Sequence, residues 1–363
     1  MDVLVTGGAG YIGSTVCSAL IDAGHTPVIV DSLVTGRIEF TRGRVFYHGD
    51  VADDGLLRKV LSEHPRIECA IHLAALIVVP DSVKKPYEYY TENVTKSIAF
   101  FKGMIDGGVH RIVFSSTAAM YDDVPGFYVT EDSPLNPRSP YSKTKYMTEQ
   151  ILSDFCGAYD LRAISLRYFN LIGADPLLRS GLQSRAPSHL LGKLVSVAKG
   201  EQDKFTLTGT DWPTRDGTGL RDYIHVWDVA RAHVLAVERF DRAAAGLGCA
   251  AVAGDGAAAS GIDVDAAGFD HTAASGFGAG FVPINLGCGR GVTVREFVAA
   301  FEKVYGKKVP MTVAPPRLGD VAGAYAGAGR AAELLGWKTE LSIEDGIADA
   351  LKWFDERNRM LPT

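Results

Sequence analysis

With 363 residues, 47% of them hydrophobic and 22% charged, and a net charge of −6, the chain has enough apolar mass for one large domain plus a smaller lobe. The acidic balance gives no basic field for nucleic acid or an anionic membrane, so a phosphate-bearing partner needs a local site, and a small molecule is the expected ligand. Five scattered cysteines (Cys17, Cys69, Cys156, Cys249, Cys288) with no Cys-x-x-Cys pair, together with a chain that opens directly on a strand and has no apolar run long enough to cross a bilayer, make the cytoplasm the expected setting, with no metal site.

The first predicted element is a short buried strand at 3–6, followed by Gly7, Gly8, Gly10 and Gly13 and then a helical pattern to about residue 23. Glycines at that spacing between strand and helix allow a tight turn, a close approach of backbone to a pyrophosphate, and tight packing of helix on strand. A second strand at 27–31 ends in Asp31, where the ribose hydroxyls of an adenine dinucleotide would lie. Its charge would repel a 2′-phosphate, which favours NAD over NADP, with Arg37 nearby as the opposing consideration. The alternation continues through a strand at 45–48 running into Asp50 and Val51, a helix at 54–63, a strand at 69–73 ending at Leu73, Ala74 and Ala75, a helix at 89–107 containing Asn93, and a strand at 111–114 ending in Ser115, Ser116 and Thr117. Strands and helices in this alternation predict an α/β fold, a doubly wound parallel sheet that takes ligands at the carboxyl ends of its strands. Asp50 suits an adenine amino group, and the small Ala74 and Ala75 let a cofactor lie against the backbone.

Next, Pro140 suits the first turn of a helix whose apolar residues recur through Phe155. Tyr141 and Lys145 stand four residues apart on that helix and share a face. An ammonium there lowers a phenol pKa that starts near ~10 and makes Tyr141 a general base for a hydroxyl. An ordinary exposed Tyr and Lys would fit the same spacing; the glycine turn and the hydroxyls at the strand end favour the catalytic reading.

Five motifs carry a resemblance that runs almost end to end: Val-Thr-Gly-Gly-Ala-Gly-Tyr-Ile-Gly-Ser at 5–14, Phe-Ser-Ser-Thr-Ala at 114–118, Tyr-Ser-Lys-Thr-Lys at 141–145, Leu-Arg-Tyr-Phe-Asn at 166–170 and Asp-Gly-Thr-Gly-Leu-Arg-Asp-Tyr-Ile-His-Val at 216–226. The chain resembles the extended short-chain dehydrogenase/reductases and, more narrowly, the UDP-glucose 4-epimerase family. The resemblance implies a Rossmann domain over 1–170 and a smaller α/β UDP-sugar lobe over 171–363, interleaved with the first. It makes Tyr141 the base, Lys145 its electrostatic partner and nicotinamide-ribose ligand, and Thr117 the catalytic hydroxyl. NAD contacts are implied at Gly7, Gly10, Tyr11, Ile12, Gly13, Asp31, Asp50, Val51, Leu73, Ala74, Ala75, Asn93, Ser115, Tyr141, Lys145 and Tyr168. Substrate contacts are implied at Thr117, Tyr141 and Asn170, at His189 and Leu190, and at Arg221, Arg317 and Asp320, with the two arginines clamping the UDP phosphates.

The chain departs from the family pattern in three places. Ile77 replaces a frequent Lys, Ser188-His189-Leu190 replaces an Asn pair followed by Leu, and an insertion over 243–280 consists mostly of Ala and Gly with no Lys or Arg. The insertion is expected to be a mobile surface loop, a flap over the sugar being the sharper alternative. By resemblance, Ala324 lies where bulk restricts N-acetylated sugars, with Tyr325 as the alternative alignment. A homodimer through helices near 90–107 and 141–156 is also implied. The expected reaction is reversible 4-epimerisation of UDP-galactose and UDP-glucose through a 4-keto sugar, with NAD retained. The alternatives are a nucleotide-sugar 4,6-dehydratase or decarboxylase, for which Ala118 and Ala119 supply no second acid–base pair, and a non-catalytic dinucleotide-sensing module.

Overall fold

The computed structural model describes residues 1–185, 187–245, 277–316 and 321–361. Seven strands form a parallel central sheet: β1 (Asp2–Thr6), β2 (Thr26–Asp31), β3 (Val45–His48), β4 (Ile67–His72), β5 (Arg111–Ser115), β6 (Arg162–Tyr168) and β7 (Phe281–Leu286). Their order is β7-β6-β5-β4-β1-β2-β3. Chain direction across the sheet reverses between β1 and β4, so the connections after these two strands leave on opposite faces and open a crevice at their carboxyl ends.

The principal helices are α1 (Tyr11–Asp22), α2 (Asp54–Glu63), α3 (Lys96–Asp106), α4 (Pro140–Ala158), α5 (Leu190–Ala198), α6 (Val226–Glu238), α7 (Val294–Tyr305) and α8 (Ile343–Met360). Because successive strand residues point to opposite faces, β1 divides its side chains between two cores. Val3 and Val5 pack with Val16 and Leu20 of α1 and Val229 of α6. Leu4 packs instead with Leu57 of α2, Phe100 and Phe101 of α3 and Leu152 of α4. Both faces are therefore covered, which explains why these strands read as continuous apolar runs.

β7 comes from far beyond residue 170 yet pairs with β6 along its whole length, from Phe281↔Ala163 to Leu286↔Tyr168. The second lobe has its own core, in which α5, α7 and α8 enclose Leu194, Phe297, Phe301 and Ile347. A four-stranded sheet, made of Val292–Thr293, Leu220–Arg221, Gly323–Ala326 and Tyr128–Val129 in that order, brings both lobes together beside the carboxyl end of β5.

One predicted helix differs from the observed ones. The single helix expected over 89–107 is a short helix at Pro86–Tyr90, a wide π turn at Thr91–Thr95, and then α3. Helix α5 begins at Leu190, where the His189 ring accepts a hydrogen bond from Gly192 N and caps it. Arg317, Asp320 and most of the 243–280 insertion lie outside the described residues. Among the described residues, no helix is long and apolar enough to cross a membrane, and no cluster of His, Cys, Asp or Glu is arranged to hold a metal ion.

Candidate active site

The crevice begins at the turn after β1. Gly7 has φ +70, a left-handed conformation that disfavours a side chain, and a Cβ there would lie 2.8 Å from Ala74 N. A Cβ at Gly13 would come within 2.1 Å of the Gly7 carbonyl oxygen, so the first turn of α1 can seat against the loop only as glycine. Gly10 caps α1 without a side-chain hydrogen bond, leaving the helix-start N–H groups to an external acceptor. Asp31 closes the far side: its carboxylate accepts from Ala9 N at 2.9 Å and Leu33 N at 2.8 Å. A glycine cradle at an uncapped helix start, with an acid at the end of β2, fits the pyrophosphate and ribose of a dinucleotide.

The neighbouring wall is held by hydrogen bonds to backbone. Thr6 Oγ1 accepts from Leu73 N and Ala74 N and shares a 2.8 Å bond with His72 Nδ1, while His72 Nε2 meets Ser97 Oγ at 2.9 Å. Asn93 sits in the π turn. Its Oδ1 accepts from Leu76 N, and its Nδ2 donates to Leu76 O and to Thr144 Oγ1 of α4. Both amide hydrogens of Asn93 are thus engaged, and they fix the chain beyond the strand end that includes Ala74 and Ala75. Asp50 is held by Ala52 N and by Lys96 Nζ at 2.5 Å, Val51 is buried, and Ile77 is 58% exposed. Tyr11 and Ile12 open α1, and the Tyr11 hydroxyl donates to Gly173 O at 2.7 Å.

The three hydroxyls at the end of β5 go to three different partners. Ser115 Oγ makes a short bond to the Tyr168 hydroxyl, Ser116 Oγ donates to Glu149 at 2.6 Å, and Thr117 Oγ1 accepts from Ala119 N at 3.1 Å. Ser139 caps α4 in a capping box with Ser142, and Pro140 occupies the first turn, so the helix starts immediately before Tyr141. Lys145 is buried, donates to Ser115 O at 2.8 Å and lies 4.8 Å from the centre of the Phe114 ring.

The electrostatics correct one expectation. Burial pushes the Tyr141 phenol up to about 12, with the Thr117 hydrogen bond pulling it back and Tyr89 adding to the rise. Burial also draws Lys145 down to about 7, with Glu149 opposing. The rise of the Tyr141 pKa is thus set by desolvation and not by the neighbouring Lys145. Its ammonium is turned onto the Ser115 carbonyl, and desolvation of both groups outweighs their attraction.

Of the residues assigned to substrate, Asn170 is exposed just beyond β6, in the strand Asn170–Ile172 that pairs with Tyr223–His225. The Arg221 guanidinium donates to the carbonyls of Leu220, Val321 and Ala322, at the edge of the 317–320 segment. His189 caps α5 as described, burial lowers its pKa to about 4, and Leu190 packs on the α5–α7–α8 core. The sequence reading did not single out Glu149 and Arg167, a fully buried ion pair under the strand end, or Asp222, whose carboxylate accepts from Cys288 N and Ala326 N. The available signal was periodicity: Glu149 follows Tyr141 and Lys145 at four-residue intervals on one helix face.

A parallel sheet of this order, a glycine cradle at its switch point, and a half-buried Tyr141 with a buried Lys145 beside a threonine hydroxyl define a dinucleotide-dependent enzyme that moves a proton from a hydroxyl. Residues 3–247 match the NAD dependent epimerase/dehydratase family, and the chain belongs to that family. It is 40% identical to a UDP-glucose 4-epimerase of Azospirillum brasilense, over 97% of this chain and 91% of the relative. Two solved structures are similar. One is a UDP-glucose-4-epimerase from Stenotrophomonas maltophila with bound NAD and formylated UDP-arabinopyranose (TM-score 0.84, 36% identity, 99% of each chain), and the other a UDP-glucose 4-epimerase from Bifidobacterium longum in complex with NAD+ and UDP (TM-score 0.83, 33% identity, 99% of each chain).

Proposed function

We infer that this chain is an NAD-dependent UDP-hexose 4-epimerase that interconverts UDP-galactose and UDP-glucose. The observation that carries this reading is the placement of Tyr141, at the start of α4, next to Thr117 at the carboxyl end of β5, beside a glycine cradle in a chain alike end to end to UDP-glucose 4-epimerases. Bound NAD supplies the hydride acceptor and donor for sugar C4 and, when oxidised, a positive charge that favours the Tyr141 phenolate. Tyr141 takes the proton of the 4-hydroxyl, directly or through Thr117, and returns it after the 4-keto sugar has turned its other face. Lys145 positions the strand end through Ser115 O. Gly7, Gly10 and Gly13 seat the pyrophosphate, and Asp31 the ribose. Arg221, Arg317, Asn170 and Asp320 hold the UDP end while the sugar rotates.

The test is to incubate the purified protein with UDP-galactose and no added nicotinamide, following product by NMR and NADH by absorbance. An equilibrium mixture with UDP-glucose and no lasting NADH is expected. A 6-deoxy-4-keto product would instead establish the dehydratase. Ala118 and Ala119 occupy the turn after Thr117, which weighs against that outcome.

N-acetylated UDP-hexoses also fit this reading. Along the strand Gly323–Ala326, Ala324 packs toward Ala118, Tyr121 and Phe169, while the Tyr325 ring lies 5.4 Å from that of Tyr128, in keeping with strand alternation. The small Ala324 therefore faces the catalytic segment, and absence of turnover with UDP-N-acetylglucosamine would refute this breadth. A homodimer is part of this reading, supported by Ile98 of α3 and Met147 of α4, which remain exposed, with Val83 and Tyr87 nearby in sequence. Sedimentation at a monomer mass would exclude it. The free thiols of Cys17, Cys69, Cys156 and Cys288 agree with a cytoplasmic setting.

A further inference from the structure

One carboxylate ties together the elements that carry the proton-transfer groups, although it has no part in the steps above. Glu149 lies one helical turn beyond Lys145 and two beyond Tyr141, and both it and its partner Arg167 are fully buried. Its Oε1 accepts from Ser116 Oγ at 2.6 Å, Ser165 Oγ at 2.7 Å and Arg167 Nε at 3.0 Å, and its Oε2 accepts from Arg167 Nη2 at 2.6 Å. Arg167 continues to the Tyr121 hydroxyl at 3.0 Å, and Tyr121 donates to Asn285 of β7 at 2.7 Å. A buried ion pair is a poor means of gaining stability, since apolar residues of similar volume often serve as well. This pair does what apolar residues could not: it hydrogen bonds α4, the end of β5, and β6 at one point. Ser116 stands between Ser115, whose carbonyl receives Lys145, and Thr117, whose hydroxyl lowers the Tyr141 pKa.

We propose that Glu149 is a positioning residue for proton transfer: through the Ser116 hydroxyl it sets the end of β5 against α4, and its negative charge one turn away favours the Lys145 ammonium. The proposal rests on the epimerase reading for its kinetic consequence but not for its electrostatic one. The groups around Lys145 are Tyr141 and Glu149 on its own helix, Phe114 and the Ser115 carbonyl from β5, His72 from β4, and Tyr168 and Arg167 from β6. His72 stays neutral because burial pulls its pKa to about 3, and Arg167 offsets part of the carboxylate's charge. Glu149 is thus the acidic group of the set, and its effect on Lys145 opposes desolvation.

Two variants of the full NAD-containing protein separate position from charge. Ser116→Ala removes the bond to the strand end and leaves the ion pair intact. It should lower kcat roughly tenfold with KM for UDP-galactose within about twofold, and Ser116→Thr, which restores a hydroxyl, should recover most of the loss. Glu149→Gln combined with Arg167→Met removes the charge without leaving a buried cation alone. In a titration by NMR of 13Cε-labelled lysine, Lys145 should then lose its proton roughly one pH unit lower than in the wild type. That readout needs no turnover, so a wild type that fails to epimerise would overturn the functional reading and still leave the charge effect measured. An unchanged Lys145 titration in a double variant with native near-ultraviolet circular dichroism would overturn the proposal, as would wild-type kcat in Ser116→Ala. A kcat loss that Ser116→Thr does not restore would overturn it too.

Discussion

The two ends of the crevice are built from different materials. At the dinucleotide end, the shape comes from backbone: Gly7 and Gly13 bring main chain against main chain, and Thr6 and Asn93 bind the N–H and carbonyl groups of Leu73 to Leu76. At the proton-transfer end, the shape comes from buried polar side chains, with Tyr141, Lys145, Glu149 and Arg167 all anchored on one strand end. A site made of backbone is damaged by adding atoms, and a site made of side chains by removing them. The first tolerates no bulk and has no titrating group in the proton-transfer step, while the second is tuned by charge and desolvation.

The largest effect should come from the side-chain end. Tyr141→Phe removes one oxygen from a half-buried position, and kcat for UDP-galactose should fall by about 10²–10⁴, with bound NAD and melting temperature nearly unchanged. Preserved turnover would mean that Tyr141 is not the base. At the backbone end, adding one carbon should be as harmful by another route. The Cβ of Gly13→Ala would sit 2.1 Å from Gly7 O, so the helix must move away from the cradle. Destabilisation by about 1–3 kcal/mol and loss of co-purified NAD are expected, measured by urea unfolding and by absorbance of the released cofactor. If Gly13→Ala keeps its NAD while Tyr141→Phe loses it, the division between the two ends fails.

Asn93→Ala comes next and tests how far the wall depends on a single amide. It deletes bonds to Leu76 N, Leu76 O and Thr144 Oγ1. The half-buried Leu76 N–H and carbonyl lose their partner at a cost of about 1 kcal/mol, and because this wall lines the crevice, NAD retention should fall more than the kcat of the NAD-loaded fraction.

What could be read from the sequence follows the same division. The glycine spacing, Asp31 and the strand–helix alternation identified the backbone end, because glycine and periodicity are local signals, and the helix at 54–63 has the expected bounds. The helix expected over 89–107 was misjudged where Asn93 turns inward to bind Leu76. A π turn adds a residue without changing composition, so no periodicity reveals it. At the other end, the residue types were legible and their electrostatics were not. Tyr141 and Lys145 were expected to act on each other across one helical turn, but the deciding term is desolvation, which depends on β5 and β6 packing over α4. Glu149, read alone, is one more charge on a helix; its burial depends on Arg167, which lies on a different element.

The smallest expected effect concerns pH, and it sits in the backbone end where no catalytic group titrates. His72 is buried between Thr6 Oγ1 and Ser97 Oγ, stacked 4.6 Å from the Phe100 ring, and burial lowers its pKa to about 3, with Lys145 contributing in the same direction. Its unfolded value is near ~6.5, so between about pH 6.5 and 3 the unfolded chain holds a proton that the folded chain refuses. The stability tied to neutral His72 is therefore complete above about pH 6.5 and drains away as the pH falls, by at most about 1.4 kcal/mol per pH unit. His72→Asn keeps a polar side chain between the two hydroxyls but cannot take up that proton. It should be less stable than the wild type at pH 7, and the gap should narrow on acidification. Urea midpoints at several pH values between 7 and 4.5 would show the two curves converging. Parallel curves would mean that His72 is charged in the folded protein, and its hydrogen bonds to Thr6 and Ser97 would then have to be formed by an imidazolium that donates from both nitrogens.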